Sequence, residues 1–377
     1  MAGACPPGGR PTWVEVDLEA IRSNVRRFRA QLAPETALMA IVKADGYGHG
    51  ATPVAQAALA AGAQWLGVAM VEEGLRLRQA GLSSPMLILG QSVKEQMTAA
   101  VRAGIDLTVA DREGLAEVAR AAEEVGSPAF VHLKVDTGMG RLGVWWEAVD
   151  EDWIAALTRD SRVRWRGIFT HFADSDGDPE YTRLQYQRFL DVLERVRRAR
   201  ALPPLVHLAN SAAALQFPGT QGDMVRVGLG LYGLKPYPGA EGLRPALAWY
   251  SQVVYLKTVP AQFSVGYGRT YRTPAALKLA TIPVGYADGY RRGWSNRAQV
   301  LIRGRRYPVV GRVSMDQIVV AIPLSDPVAV GDRVTLLGRD GPEEITAEEM
   351  AAWIDTISYE VVTGISGRVP RCYRGNS

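Results

Sequence analysis

Ala37-Leu38-Met39-Ala40-Ile41-Val42-Lys43-Ala44-Asp45-Gly46-Tyr47-Gly48-His49-Gly50 opens the part of the chain from which the fold is read. Its first half is an apolar run of strand length. Its second half breaks that run with glycines and leads into helical spacing near residues 51–62. The order is strand, turn, helix, and the unit recurs. Strands are expected at 65–70, 85–90, 106–110, 129–136, 166–173, 205–209 and 225–231, with helices near 71–80, 93–103 and 111–125. Asp178-Pro179-Glu180 is a helix start, with a capping residue, a proline at the first helical position and an acid. Upstream, Ile21, Val25, Phe28 and Leu32 keep one apolar helical face behind Asp17. Regular alternation of strand and helix predicts a parallel sheet, and eight such units predict a (β/α)8 TIM-like barrel. A doubly wound open sheet is the alternative that periodicity alone leaves open.

After Gly233 the texture changes. Lys235-Pro236-Tyr237-Pro238-Gly239 reads as a linker, and short β-branched and aromatic runs follow at 252–259, 280–283, 299–302, 307–310, 317–322 and 333–337. The expected domains are therefore a barrel over 17–240 and a mainly-β C-terminal domain over 241–377. Residues 1–16, which contain the lone strand pattern Trp13-Val14-Glu15-Val16, are expected to pack on the second domain.

The chain of 377 residues is long enough for two cores, and 47% hydrophobic with 22% charged residues is ordinary for a globular protein. A net charge of +4, with both signs interspersed, gives no electrostatic footprint for nucleic acid. Cys5 and Cys372 form no CxxC and suggest neither a disulfide framework nor a metal site. The stretch from Ala57 to Val71 is broken by Gln64 and is too short to span a bilayer. Met1 to Pro7 lack the basic and apolar regions of a signal peptide, so a cytoplasmic protein is expected.

Lys43 ends a buried strand, where a bare ammonium is costly. Partial desolvation would lower its pKa and make the amine a nucleophile toward an aldehyde. The plainer reading is a strand-end lysine reaching water along its own stem. In Phe130-Val131-His132-Leu133-Lys134-Val135-Asp136 the odd positions are apolar and the even ones include His132, Lys134 and Asp136, and a polar inner face near a strand's C-terminal end is where barrel catalysis sits. Thr137-Gly138-Met139-Gly140-Arg141 then delivers an arginine; an internal salt-bridge network explains Lys134 and Asp136 equally well. Loops after the seventh and eighth strands of such barrels commonly bind phosphate. Here they hold Ser211 and the run Arg226-Val227-Gly228-Leu229. His171, in Thr170-His171-Phe172, is by itself an ordinary polar residue at a strand end.

Val42 to Gly50 resembles the pyridoxal phosphate attachment signature of the alanine racemases, at every fixed position. The resemblance runs from Asp17 to Tyr359 and implies a role for each of several residues. Lys43 would carry the cofactor and act as one base. Tyr267, in Val265-Gly266-Tyr267-Gly268-Arg269, would be the second base, supplied by the partner subunit of a homodimer. A phenol with a pKa of about 10 is a poor base unless tuned, and His171 would tune it. Tyr47, Ser211, Gly228, Leu229 and Tyr359 would hold the phosphate. Arg141 would contact the phenolic oxygen of the cofactor and the substrate, with Lys134 as a carbamate orienting it. Met315 would contact the substrate carboxylate, and Tyr286 would line the passage to the site. Arg226 would face the pyridine nitrogen. An arginine there can only donate, which leaves that nitrogen unprotonated, weakens the electron sink and favours proton return over transamination.

The implied activity is interconversion of L- and D-alanine on pyridoxal 5'-phosphate, supplying D-alanine for peptidoglycan. The partners are alanine and a second copy of the chain, with no nucleic acid and no membrane, and no metal is implied. Two alternatives remain: a serine or broad-specificity racemase (or a decarboxylase) on the same scaffold, and a non-catalytic cofactor-binding protein. The second would lack the C-terminal domain that bears Tyr267.

Overall fold

The computed structural model describes residues 9–199 and 202–375. Ala37–Ile41, Trp65–Val68 and Met224–Val227 are almost wholly buried along their length. That is the burial of parallel strands covered on both faces. Met224–Val227 pairs with Ala37–Ile41, and the sheet continues through Trp65–Val68, Met86–Gln91, Asp106–Val109, Ala129–Asp136, Val163–Phe169 and Leu205–His207, each neighbour parallel. Two backbone bonds bring the ends together, Asp223 N–H to Val206 O at 2.8 Å and Arg226 N–H to Ala209 O at 2.9 Å. The result is a nearly closed eight-stranded barrel, as the alternation predicts, and the open-sheet alternative falls.

Helices follow the strands at Ala51–Ala60, Val71–Gln79, Lys94–Arg102, Arg112–Val125, Glu151–Arg159, Pro179–Ala199 and Ser211–Gln216. Their ends obey local chemistry. Asp111 caps Arg112–Val125 by accepting from Gly114 N at 2.6 Å, and Gly126 ends it at φ 74°. Asp178 Oδ1 accepts from Glu180 N and Tyr181 N at the start of the helix that Pro179 opens. The strand expected at 225–231 ends at Val227, and Leu229–Tyr232 form a 3-10 turn instead. The strand expected at 166–173 departs as well. It runs Val163–Phe169 rather than 166–173, because Arg164 points to solvent and Arg166 pairs with Asp106, so two arginines sit inside a strand.

The chain divides into two compact units. One comprises Ala20–Gly46 with Ala51–Arg244 and contains the barrel. The other gathers the chain up to Glu19, the four residues Tyr47–Gly50, and everything from Pro245 on. In this second unit Trp13–Asp17 pairs antiparallel with Leu247–Gln252 and parallel with Arg371–Arg374. That sheet extends through Arg333–Asp340 and Gln299–Ile302 to Arg305–Pro308. Tyr255–Val259, Leu277–Ile282 and Ile318–Ile322 form a second sheet. Trp249, Tyr290 and Trp294 are buried side by side in this unit, tilted or edge-on to one another, with centroids 5.8 and 4.8 Å apart. The helices Ala347–Ala352 and Ser358–Thr363 are additions that the strand reading missed.

The cysteines suggest no disulfide framework, yet Cys372 is disulfide-bonded; Cys5 lies outside the described residues. Pairing depends on Cα separation in the fold, which spacing along the chain does not report. No helix among the described residues is long and apolar enough to cross a membrane.

Candidate active site

Lys43 stands just past the C-terminal end of Ala37–Ile41, at the start of a left-handed turn. Ala44 and Asp45 have φ 52°, Gly46 has φ 60° and Tyr47 has φ 52°. Three of the four carry a Cβ, and each such residue costs on the order of 1 kcal/mol in this region. The turn persists because it is tied down. Ala44 N–H donates to Glu73 Oε1 at 2.7 Å, Ala51 N–H to Asp45 Oδ1 at 2.9 Å, and Gly46 N–H to Val42 O at 2.9 Å. Tyr232 O–H fixes the strand end by donating to Ile41 O at 2.8 Å. Burial, and next the charge of Arg141, push the Lys43 amine below its ordinary range, while Glu73 pulls the other way. More of it is therefore neutral, and nucleophilic, than of an exposed lysine.

The even positions of Ala129–Asp136 behave as the alternation predicts. His132 and Lys134 are buried, and Lys134 Nζ lies 4.4 Å from the Phe169 ring centroid. Burial, then Arg226 and Arg141, hold the Lys134 amine well below the usual lysine range. Asp136 accepts from Gly138, Met139 and Gly140 N–H at 2.8 to 3.2 Å, which curls the loop leading to Arg141. Gly138, at φ 139°, is required there, since a Cβ would stand 2.4 Å from Tyr181 Oη. Arg141 itself is exposed.

Arg226 is buried on the last barrel strand. Its Nη2 donates to Thr170 O and Leu208 O, both at 2.8 Å, and reaches His171 Nδ1 at 3.2 Å; its Nη1 donates to His207 Nδ1 at 3.0 Å. Burial lowers the guanidinium to about 9, so it stays charged at neutral pH. His171 is pushed well below its usual range by burial and then by Lys134, Arg226, Arg141 and Lys43, which makes it a neutral imidazole. Ser211 Oγ accepts from Gly228 N at 3.0 Å and from Gly230 N at 3.2 Å. Gly230 was not anticipated; a Cβ there would stand 2.5 Å from the Phe28 ring, so only glycine fits.

Lys43, Lys134, Arg141, His171, Ser211, Arg226, Gly228 and Leu229 thus share the barrel unit, at the C-terminal ends of its strands. The other expected residues are in the second unit. Tyr47 is buried beside Tyr359, with ring centroids 6.0 Å apart; burial and then Tyr359 raise its pKa. Tyr267 is 72% exposed, on a turn held by Gly266 and Gly268, each at φ 69°. Tyr286 and Met315 lie on loops in direct contact, with Tyr286 N–H donating to Ser314 O and Ala287 N–H to Met315 O, both at 3.0 Å. Among the described residues no group of three His, Cys, Asp or Glu could hold a metal ion.

The barrel cluster combines the buried, charged Arg226 and the exposed Arg141 with two amines of lowered pKa, and Asp136 is already engaged with three backbone N–H groups. Such a site favours an anionic ligand, and the Lys43 amine favours one with a carbonyl.

Residues 16–236 match the family model "Alanine racemase, N-terminal domain", and residues 246–373 match "Alanine racemase, C-terminal domain". The chain belongs to the alanine racemase family. It is 50% identical to the alanine racemase of Symbiobacterium thermophilum over 98% of this chain and 99% of that protein. The crystal structure of alanine racemase from Streptomyces lavendulae superposes with a TM-score of 0.91 at 40% identity, covering 98% of each chain. The fold also occurs with another substrate in the name. A histidine racemase from Leuconostoc mesenteroides subsp. sake gives a TM-score of 0.87 at 28% identity, over 98% of this chain and 99% of that one.

Family membership accounts for the motifs, but the sequence assigns no role to several residues around the site. Glu73, Tyr232, Gly230, Asp106, His132 and His207 all touch residues expected in the site, or touch their immediate supports. Of these, His132 lies in the run whose polar inner face is read from the sequence, and His207 carries the same kind of signal, a polar residue at an inward position of a barrel strand.

Proposed function

We propose that the chain is an alanine racemase that uses pyridoxal 5'-phosphate and works as a homodimer in the cytoplasm, supplying D-alanine for peptidoglycan. The observation that carries this reading is the pairing of a lowered-pKa lysine with a buried arginine at one end of one barrel. The residues fit the cofactor. Lys43 would hold its aldehyde carbon, and Arg226 would donate to its pyridine nitrogen. Ser211, Gly228, Leu229, Tyr47 and Tyr359 would receive its phosphate, and Arg141 would meet its phenolic oxygen. The guanidinium groups of Arg226 and Arg141 would supply the positive charge that a phosphate and a phenolate require.

When bound, the cofactor delocalises the electron pair left on the substrate Cα after its proton departs. Every other task falls to the chain. Lys43, with its amine of lowered pKa, would take or return the substrate Cα proton on one face. Tyr267 of the partner subunit would do so on the other face, with the neutral His171, whose Nδ1 accepts from Arg226 Nη2, donating from Nε2 the hydrogen bond that lowers the cost of the phenolate. Arg226 cannot surrender a proton to the pyridine nitrogen, so the electron pair stays largely on Cα and is reprotonated there. The partner subunit's Met315 would bound the substrate carboxylate. The exposure of Tyr267 and of Met315, at 53%, in the single chain supports a second copy covering them.

Lys134 completes this reading. A buried amine held neutral can add to carbon dioxide, releasing one proton and leaving a carbamate whose negative charge would orient Arg141.

The test is NMR of L-alanine with the cofactor-loaded protein in D2O, with a chiral assay of the product. Loss of the Cα proton together with D-alanine is expected. Exchange without D-alanine would remove Tyr267 from its role. No exchange with alanine, but exchange with histidine or serine, would favour the second reading, a racemase for another amino acid, which the histidine racemase of this fold makes concrete. Cofactor binding with no exchange on any amino acid would leave only a carrier.

A further inference from the structure

Below the site, four side chains from four barrel strands touch in series. Arg226 Nη1 lies 3.0 Å from His207 Nδ1, His207 Nε2 lies 2.9 Å from His132 Nδ1, and His132 Nε2 lies 3.1 Å from Asp106 Oδ2. Arg166 Nη1 closes the far end on both Asp106 oxygens, at 2.9 and 3.0 Å. His132 and His207 are 0% exposed, and Asp106 is 1% exposed.

Hydrogen-bond chemistry allows one arrangement of protons in this row. A guanidinium only donates, so His207 Nδ1 must be the bare, accepting nitrogen. Its single proton then sits on Nε2 and points at His132 Nδ1, which must accept in turn. The proton of His132 is thereby confined to Nε2, where it meets a carboxylate. Neither imidazole can take a second proton without placing two donors head to head. The lowered pKa values of both histidines, from burial first, agree with neutral rings.

We propose that His207, His132 and Asp106 are positioning residues for Arg226: a one-way row of N–H donors that ends on a carboxylate and keeps His207 Nδ1 an acceptor. This rests on the reading that Arg226 faces the pyridine nitrogen. If the row is cut at His132, His207 is free to carry its proton on Nδ1. That proton would confront Arg226 Nη1 and push the guanidinium off its place. Solvent could then protonate the pyridine nitrogen, and the electron pair would move further into the ring. The consequence is a side reaction in which alanine gives its amino group to the cofactor: alanine is oxidised to pyruvate, its new carbonyl oxygen coming from water in exchange for the water released when the substrate amine joins the aldehyde, and the aldehyde is reduced to the aminomethyl group of pyridoxamine phosphate. The Cα proton returns to the cofactor carbon instead of Cα.

Two measurements test this. The first is 15N NMR of the histidine-labelled protein, which has four histidines, at pH 7 with pyridoxal phosphate bound. Nε2–H tautomers are expected for His132 and His207. An Nδ1–H tautomer or an imidazolium at either one overturns the proposal. The second compares His132→Leu with His132→Gln, whose amide can accept from His207 and donate to Asp106. The Leu variant is expected to make about tenfold more pyridoxamine phosphate per racemisation event than the parent protein, and the Gln variant to restore most of the loss. Equal partition ratios in the parent and both variants overturn the proposal, since mere loss of packing would slow turnover without changing the ratio. If the Leu variant does not fold, the tautomers of the parent protein still decide. If instead the parent protein neither binds pyridoxal phosphate nor racemises an amino acid, the broader reading fails while the tautomers, measured without cofactor, still report on the row.

Discussion

Both terminal nitrogens of Arg10 meet Asp288, at 2.5 and 2.7 Å from its two carboxylate oxygens, and Asp288 is completely buried. Asp288 also accepts from Gly285 N at 3.0 Å, so the ion pair holds the turn that carries Tyr286. Removing one partner of a buried pair leaves an uncompensated charge, which typically costs about 3 kcal/mol or more. Arg10→Ala is therefore expected to destabilise the protein by about that amount, softened by Arg368 at 3.5 Å from the same carboxylate. Urea unfolding checks it, and Arg10→Lys should fall between.

Lys43→Ala is expected to abolish the adduct that borohydride traps between the protein and pyridoxal phosphate, and to end racemisation in both directions. Mass spectrometry of the reduced, digested protein reads this directly. An undiminished adduct on another lysine would remove Lys43 from its role.

Tyr267→Phe is expected to lose Cα proton removal from L-alanine while retaining exchange from D-alanine at single turnover. Mixed Lys43→Ala and Tyr267→Phe chains should recover activity, because one site in such a heterodimer would receive both intact bases. Purified heterodimers with no activity would contradict a shared site.

Stability should fall with acid through the histidines. His132, His171 and His207 all have lowered pKa values in the folded state, each chiefly from burial. Below about pH 6.5 the unfolded chain binds protons that the folded chain refuses, so stability drops as pH falls toward the folded values, by about 1.4 kcal/mol per pH unit per histidine. Above pH 6.5 the effect vanishes. The difference in urea midpoint between the parent protein and His207→Gln, followed from pH 7 to 5, isolates one histidine and should shrink as pH falls.

Gly230→Ala places a methyl carbon 2.5 Å from the Phe28 ring, a clash of the kind that costs about 1–3 kcal/mol. Because Gly230 N–H also helps hold Ser211 Oγ, weaker binding of pyridoxal phosphate is expected beside the loss of stability. Fluorescence titration with the cofactor separates the two effects.

The alternation of strand and helix was legible in the chain because each element buries its own apolar face at its own period, and that signal is local. Lys43, Tyr267 and Arg226 stood out for another reason: each lies in a short string of residues that resembles the family's. What lay beyond reach needed the third dimension. The helices Ala347–Ala352 and Ser358–Thr363, six residues each, are too short to be stable alone and exist by packing. The left-handed turn after Lys43 is held in part by Glu73, 29 positions away from Ala44. The row from Asp106 to Arg226 joins residues 26, 75 and 19 positions apart, and no periodicity relates them. Barrel closure alone sets their register. Once there, low dielectric and the one-way chemistry of the guanidinium leave their protons a single arrangement.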